Sequence, residues 1–433
     1  MAGKDREREA RLAGALRDNL RRRKRQTRAR DTGTAATPGE GGPDRTEQGR
    51  PALTTQTSRL FSPIALRGLT LANRIIVSPM AMWAAEEGTG SATDWHLAHW
   101  AQYVMSNVGL LVIEATGVEP RGRISPQCLG LYSDENERAL AERIAKLRQW
   151  ADVPIAIQLA HSGRKGARQV PWKGREPLSA AEAWTPMGPS AVPVHESEPP
   201  PDVLDRAGMD EIRDFFVDAT RRADRAGIDL IELHAAHGYL LSSFLSPIVN
   251  LREDEYGGST ENRMRFPLEV FEAMRAAWPA DKPLGVRISG TDWVEGGWTP
   301  EESVLMGKAL LERGCDYLCL SSGGNARGVL DPVAGRAIPL GPLYQVPLAE
   351  KVRREAGIPT MAVGMITEPE QAEQVLAEGR ADMIGIARQF LYEPHWVWRA
   401  ADTLGVELDY PRRYERCARA TRPAAFADRA AAE

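Results

Sequence analysis

Cysteine is scarce: four in 433 residues, at Cys128, Cys315, Cys319 and Cys417. Their spacing excludes a disulfide framework and offers no paired metal-ligand pattern. Cys315 and Cys319 share one apolar segment and read as buried free thiols, which suits a reducing cytoplasm. Long hydrophobic runs are also missing. No stretch of about 18 uninterrupted apolar residues occurs, so no membrane span is expected, and the N-terminus lacks the apolar core of a secretory signal. A strong charge of one sign is absent too: 55 Lys and Arg face 59 Asp and Glu. That balance points to no nucleic-acid partner. What is present is a 42% hydrophobic fraction, enough for a sizeable core in one large domain or two ordinary ones.

Composition breaks near Ser58. Residues 1–58 hold the basic run Arg21–Arg25, then a Gly-, Pro- and Thr-rich stretch from Asp31 to Thr57 with almost no large apolar side chains. Too little apolar surface is available there to offset chain entropy, so a disordered basic tail is expected. Leu12, Leu16 and Leu20 recur at spacing four behind Asp5, Glu7 and Glu9. Such a stripe favours a helix but is too narrow to fold alone.

From Leu60 onward, apolar or β-branched runs alternate with amphipathic stretches. The runs are Ile75–Met80, Gly109–Thr116, Pro154–His161, Ile228–Ala235, Leu284–Ser289, Asp316–Ser321, Thr360–Met365 and Asp382–Ala387. Helical periodicity marks Asp94–Met105, Glu135–Gln149, Met209–Ala226 and Glu368–Ala377. Eight continuous apolar strands separated by helices are the count of a (β/α)8 TIM barrel, spanning 59–410 with a C-terminal extension over 411–433. A doubly wound open sheet would need a glycine fingerprint after its first strand, and none follows Ile75–Met80. A barrel places its active residues at the C-terminal ends of its strands. Polar side chains do gather there: Ser78, Glu114, Gln158, His161, His234, Arg287, Ser321 and Arg388.

The fourth run is the most telling. Asp229-Leu-Ile-Glu-Leu-His234-Ala-Ala-His237-Gly-Tyr239 ends in two histidines and a phenol. Two neutral imidazoles can both donate to one carbonyl oxygen. Tyr239, protonated at neutral pH because a free phenol has a pKa of about 10, can deliver a proton to carbon. No third ligand follows at metal-site spacing, so no metal is expected. Strands seven and eight end in Gly364-Met365 and Ala387-Arg388, the barrel position that commonly binds phosphate, where Arg388 adds a charge-assisted contact. The Gln158 amide matches the carbonyl and N–H edge of a flavin pyrimidine. Arg287 supplies a cation for the anion formed on reduction. Together these imply a phosphorylated cofactor such as FMN.

Four motifs make the chain resemble the Old Yellow Enzyme family, in its bacterial NADPH dehydrogenase and xenobiotic reductase branch. They are Asn73-Arg-Ile-Ile-Val-Ser-Pro-Met80, Ile157-Gln-Leu-Ala-His-Ser-Gly-Arg-Lys165, His234-Ala-Ala-His-Gly-Tyr239 and Asp254-Glu-Tyr-Gly-Gly-Ser-Thr-Glu-Asn-Arg263. The resemblance runs from Leu60 to Arg416. It implies an ene-reductase that takes hydride from NADPH or NADH through FMN to an activated alkene. By the same resemblance Ser78, Pro79, Met80, Ala81 and Ala115 contact the flavin ring, and Gln158 and Arg287 bind its pyrimidine side. Gly364, Ala387 and Arg388 hold its phosphate. His234 and His237 bind the substrate's electron-withdrawing group, and Tyr239 gives the proton. In some relatives a terminal arginine enters the neighbouring subunit's site. Arg416 is the counterpart here, and a homo-oligomer, dimer or tetramer, is expected.

Two positions depart from the branch, which commonly has cysteine at Ala81 and tyrosine at Trp83. Ala81 removes a polar contact near the flavin. Trp83 brings bulk and an N–H to a substrate-binding position. The Pro-rich segment 168–204 is long enough to cover the pocket, with Trp172 and Trp184 as wall candidates. His96 and His99 read as surface or packing residues. Two rival functions stay open: an oxidative FMN barrel enzyme such as a desaturase or demethylase, and a flavin-binding scaffold or sensor with little turnover.

Overall fold

The structure, a computed structural model, describes residues 58–326, 338–418 and 421. The leucine stripe and the basic run of the N-terminal segment lie outside them. Eight parallel strands close into a barrel in chain order: β1 Ile75–Val77, β2 Leu110–Gly117, β3 Ile155–Ala160, β4 Leu230–Ala235, β5 Leu284–Ser289, β6 Leu318–Ser321, β7 Thr360–Ala362 and β8 Met383–Ile386. Each pairs with its sequence neighbours, and β8 closes on β1 through Gly385 opposite Ile76. All eight expected strands are found, and four of them, β1, β3, β7 and β8, end one to three residues earlier than expected. There the chain leaves the sheet to build loops.

Helices sheathe the barrel: α1 Asp94–Val104, α2 Asp134–Leu147, α3 Arg206–Arg225, α4 Thr260–Ala277, α5 Pro300–Glu312, α6 Val346–Ala356, α7 Pro369–Ala377 and α8 Trp396–Leu404. Helix α3 shows why they form and dock. The Asp205 carboxylate caps its first turn by accepting from the Gly208 N–H at 2.8 Å. Met209, Ile212, Phe216, Ala219 and Ala223 then bury one stripe at helical spacing. On the outer face Arg222 and Arg225 reach Glu137 of α2 at 3.0 and 2.7 Å.

The barrel interior grades from apolar to polar. Ile76, Leu110, Val112, Ala156, Leu230, Met361 and Met383 form a dry inner cluster with Tyr317 and Cys319. The hairpin Ile64–Leu66 and Leu69–Leu71 adds Leu66 and Leu71 to it. Side chains of a strand alternate faces with period two, so the next inward positions are Ser78 after Ile76, Gln158 after Ala156, Glu232 and His234 after Leu230, and Ser321 after Cys319. One fold rule thus turns an apolar plug into a polar floor at the strand ends. On β2 the register slips between Ile113 and Ala115, which sets Ala115 opposite Gln158.

Candidate active site

The floor of the site is a set of cross-strand neighbours. Gln158 on β3 aligns with Glu232 on β4, and His234 on β4 aligns with Arg287 on β5. All four are buried. The Gln158 amide donates from Nε2 to Glu232 Oε1 at 2.7 Å. The Tyr317 hydroxyl donates to the other carboxylate oxygen at 2.9 Å. Burial holds the Glu232 carboxyl above its ordinary range, and Arg287 and the two hydrogen bonds offset only part of that rise.

The expected catalytic trio converges. The His234 ring lies 5.1 Å, centroid to centroid, from both His237 and Tyr239, edge-on to each. His234 Nδ1 accepts the Ala236 N–H at 3.2 Å, which leaves the proton on Nε2. His237 turns the chain at a φ of 63°, and its Nε2 sits 2.7 Å from Ser321 Oγ. Burial, reinforced by the Arg287 charge, lowers His234 to about 3 and holds His237 well below its usual range. Burial raises Tyr239 to about 12. Both imidazoles are therefore neutral and the phenol protonated, the states in which all three can donate a hydrogen bond.

Two cavities flank this trio. The first, of 480 Å³, is lined by Ser78, His237, Arg287, Ser321, Gly364, Ala387 and Arg388, among others. Five of the ten expected cofactor contacts line it, Ser78, Arg287, Gly364, Ala387 and Arg388. Gln158 is buried on β3 opposite Ala115, which lines a small separate pocket with Tyr239. Ser78 Oγ and Arg287 Nε are buried polar atoms without a hydrogen-bond partner. A Cβ on Gly385 would come within 2.7 Å of Ser78 Oγ, so this strand end stays narrow. Unpaired donors, an arginine at each end and a glycine-lined wall fit a mononucleotide with a polar ring edge and a phosphate.

The second cavity, of 510 Å³, opens beyond Tyr239. Ala81, Trp83, Ile124 and Lys165 line it with segments of the long loop, Arg168–Glu176 and Val194–Glu198. The loop thus does cover the pocket, pinned by the Arg168–Glu198 ion pair. Trp172 meets Trp83 edge-on at 6.2 Å, although it is itself exposed. Trp184 packs against Arg123 instead of forming the wall. The Met82 N–H donates to Glu114 at 3.0 Å, so Glu114 steers the segment that carries Ala81 and Trp83. Facing Glu114 at 3.4 Å is the fully buried His96. His99 is also buried, stacked on Trp95, so both histidines are packing residues and neither is a surface one. His161 bonds Glu119 at 2.9 Å, a structural pair. Arg416 is exposed on the C-terminal segment and lines neither cavity.

Lys165 had no assigned role. Its Nζ donates to the His237 carbonyl at 2.6 Å and lies 5.6 Å from the Tyr239 ring centroid. Burial, then the neighbouring Arg164 and Arg168 charges, lower it to about 7. Glu232 is a second residue that the sequence patterns leave without a role. Its signal was a lone carboxylate in the middle of a strand otherwise buried and apolar.

A family model described as the NADH:flavin oxidoreductase / NADH oxidase family matches residues 59–407. The chain belongs to this family. It is 44% identical over 357 residues to an NADPH dehydrogenase of Geobacillus thermodenitrificans, covering 82% of this chain and 98% of that one. Against the NADPH dehydrogenase of Bacillus subtilis it is 38% identical over 358 residues, covering 83% and 98%. Among solved structures, morphinone reductase superimposes with a TM-score of 0.65 at 25% identity, over 83% of this chain and 92% of that one. An old yellow enzyme homologue from Zymomonas mobilis gives 0.64 at 25% identity, over 79% and 92%. The protein is an NAD(P)H:flavin oxidoreductase of the Old Yellow Enzyme type, with FMN as cofactor and a nicotinamide as hydride donor. No described helix is long and apolar enough to cross a membrane.

Proposed function

We propose that this oxidoreductase is an ene-reductase for α,β-unsaturated carbonyl or nitro compounds. One observation carries the proposal: two neutral imidazoles and a protonated phenol pack together, with His237 lining one cavity and Tyr239 the other. In the 480 Å³ cavity, Arg388, Gly364 and Ala387 hold the FMN phosphate. Arg287 and Gln158 would meet the pyrimidine edge, and Ser78, Pro79, Met80 and Ala115 would border the ring, with Ala81 on the side that faces the 510 Å³ cavity. When bound and reduced by a nicotinamide, FMN would supply the chemistry of hydride transfer to the alkene carbon distant from the activating group. His234 Nε2–H and His237 hold the carbonyl or nitro oxygen and draw electron density towards it. His237 exchanges its Ser321 contact for the substrate oxygen. Tyr239 gives its proton to the adjacent carbon, and solvent reloads the phenol. The Trp83 and Trp172 wall with the 168–204 loop excludes water from the reacting face. The protein works in the cytoplasm as a homo-oligomer, in which Arg416 of one protomer closes its partner's substrate cavity.

Anaerobic NADPH and NADH oxidation tests the proposal. Consumption that depends on 2-cyclohexenone, a maleimide or a nitroalkene, with saturated products, is expected. Nicotinamide oxidation that none of these accelerates would sink it.

A further inference from the structure

We propose that Glu232 is a positioning residue for the flavin's pyrimidine edge, fixing which way Gln158 faces and offsetting the charge of Arg287. The inference rests on FMN occupying the 480 Å³ cavity. Three neighbouring strands build the arrangement. Gln158 spends one amide N–H on Glu232 Oε1 at 2.7 Å. A carboxylate accepts and does not donate, so this bond decides the amide's orientation. The Nε2 end points into the floor, and Oε1 with the second N–H is left for a ligand. Reversed, the amide would set two acceptors against each other.

The other carboxylate oxygen is taken by Tyr317 at 2.9 Å. Tyr317 reaches it across Gly285, where a Cβ would lie 2.1 Å from the tyrosine ring. Gly285 is itself the cross-strand partner of Glu232. A bare glycine, a fully buried phenol and a fully buried carboxylate thus form one unit whose remaining side-chain hydrogen bond, among the described residues, runs to Gln158. The remaining titratable neighbours are Cys319 on β6 and His234 on β4. Burial holds Cys319 as a thiol, raised to about 12, and His234 neutral. Arg287 is therefore the cation that Glu232 answers. Its Nε is buried without a partner and its side chain lines the cavity. A bare guanidinium there would favour the anionic reduced flavin strongly. The Glu232 carboxylate, two positions before Arg287's cross-strand neighbour His234, is near enough for its charge to act on that guanidinium and moderates the field.

FMN-loaded protein tests this, with the midpoint potential and the FMN dissociation constant as readouts. Glu232→Gln keeps the shape and removes the charge. Its potential is expected to move positive, and FMN to bind several-fold more weakly as the Gln158 amide loses its fixed orientation. Tyr317→Phe keeps the carboxylate but removes one donor that stabilises it, so its potential should match wild type at alkaline pH and approach that of Glu232→Gln as pH falls. If Glu232→Gln does not fold, the positive departure of Tyr317→Phe from wild type as pH falls carries the test alone. Potentials equal to wild type at every pH in every variant that folds would overturn the inference. A wild-type chain that binds no FMN would instead overturn the cofactor placement, which separates the two failures.

Discussion

The two cavities are built by different parts of the chain. The 480 Å³ cavity is walled by strand ends, above all Ser78, Arg287, Ser321, Gly364 and Gly385. Barrel hydrogen bonds hold these in place on rigid elements. The 510 Å³ cavity is walled largely by one long loop and by Ala81 and Trp83, the two positions that depart from the family pattern. One side is set by the architecture and the other is free to vary. The proposed catalytic trio stands between them, so chemistry and cofactor affinity should separate from substrate selection when each side is altered.

The largest effect is expected at the boundary. Tyr239→Phe should slow alkene reduction by about 10²- to 10⁴-fold, the usual worth of a positioned general acid. Flavin reduction by NADPH should hardly change, and stopped-flow measurement of the two half-reactions reads the split. On the strand-end side, Arg388→Ala should weaken FMN binding about 10- to 100-fold, because a hydrogen bond to a charged group is worth about 1.5–3 kcal/mol. Fluorescence titration of the apoprotein measures this, with relative rates across alkenes left alone. On the loop side, Trp83→Ala loses an aromatic pair worth about 0.5–1.5 kcal/mol. KM for bulky alkenes should shift about two- to tenfold at constant FMN affinity. A change in FMN affinity would break the comparison.

The smallest effect is in the pH profile. His234 at about 3 and Tyr239 at about 12 do not titrate between about pH 5 and about pH 9. Lys165, lowered to about 7 by burial, does. Below that pH it is a cation beside Tyr239 and favours the phenolate left after proton transfer. Above it the charge is gone, so kcat/KM for the alkene should fall modestly as pH rises through about 7. Lys165→Met should flatten that step.

The same division decides what the sequence made legible. Strand ends follow from period-two alternation and a strand count, so the barrel and the convergence of His234, His237, Tyr239, Arg287 and Arg388 could be read directly. Loop walls follow from contacts distant in sequence. Trp172 rather than Trp184 beside Trp83 depends on how residues 168–204 fold back over the barrel, and Lys165 meets a carbonyl 72 positions away in sequence. Glu232 lay within the most informative motif, yet its partner Tyr317 is 85 positions away and reaches it only because position 285 is glycine. Helix ends were read to within a few residues, because caps such as Asp205 act locally.

Anaerobic single turnover tests the central claim most directly. The FMN-loaded protein is bleached with one equivalent of NADPH and mixed with 2-cyclohexenone. Return of the oxidised flavin absorbance, with one equivalent of cyclohexanone formed, is the expected result. Flavin that stays bleached until oxygen is admitted would contradict the account.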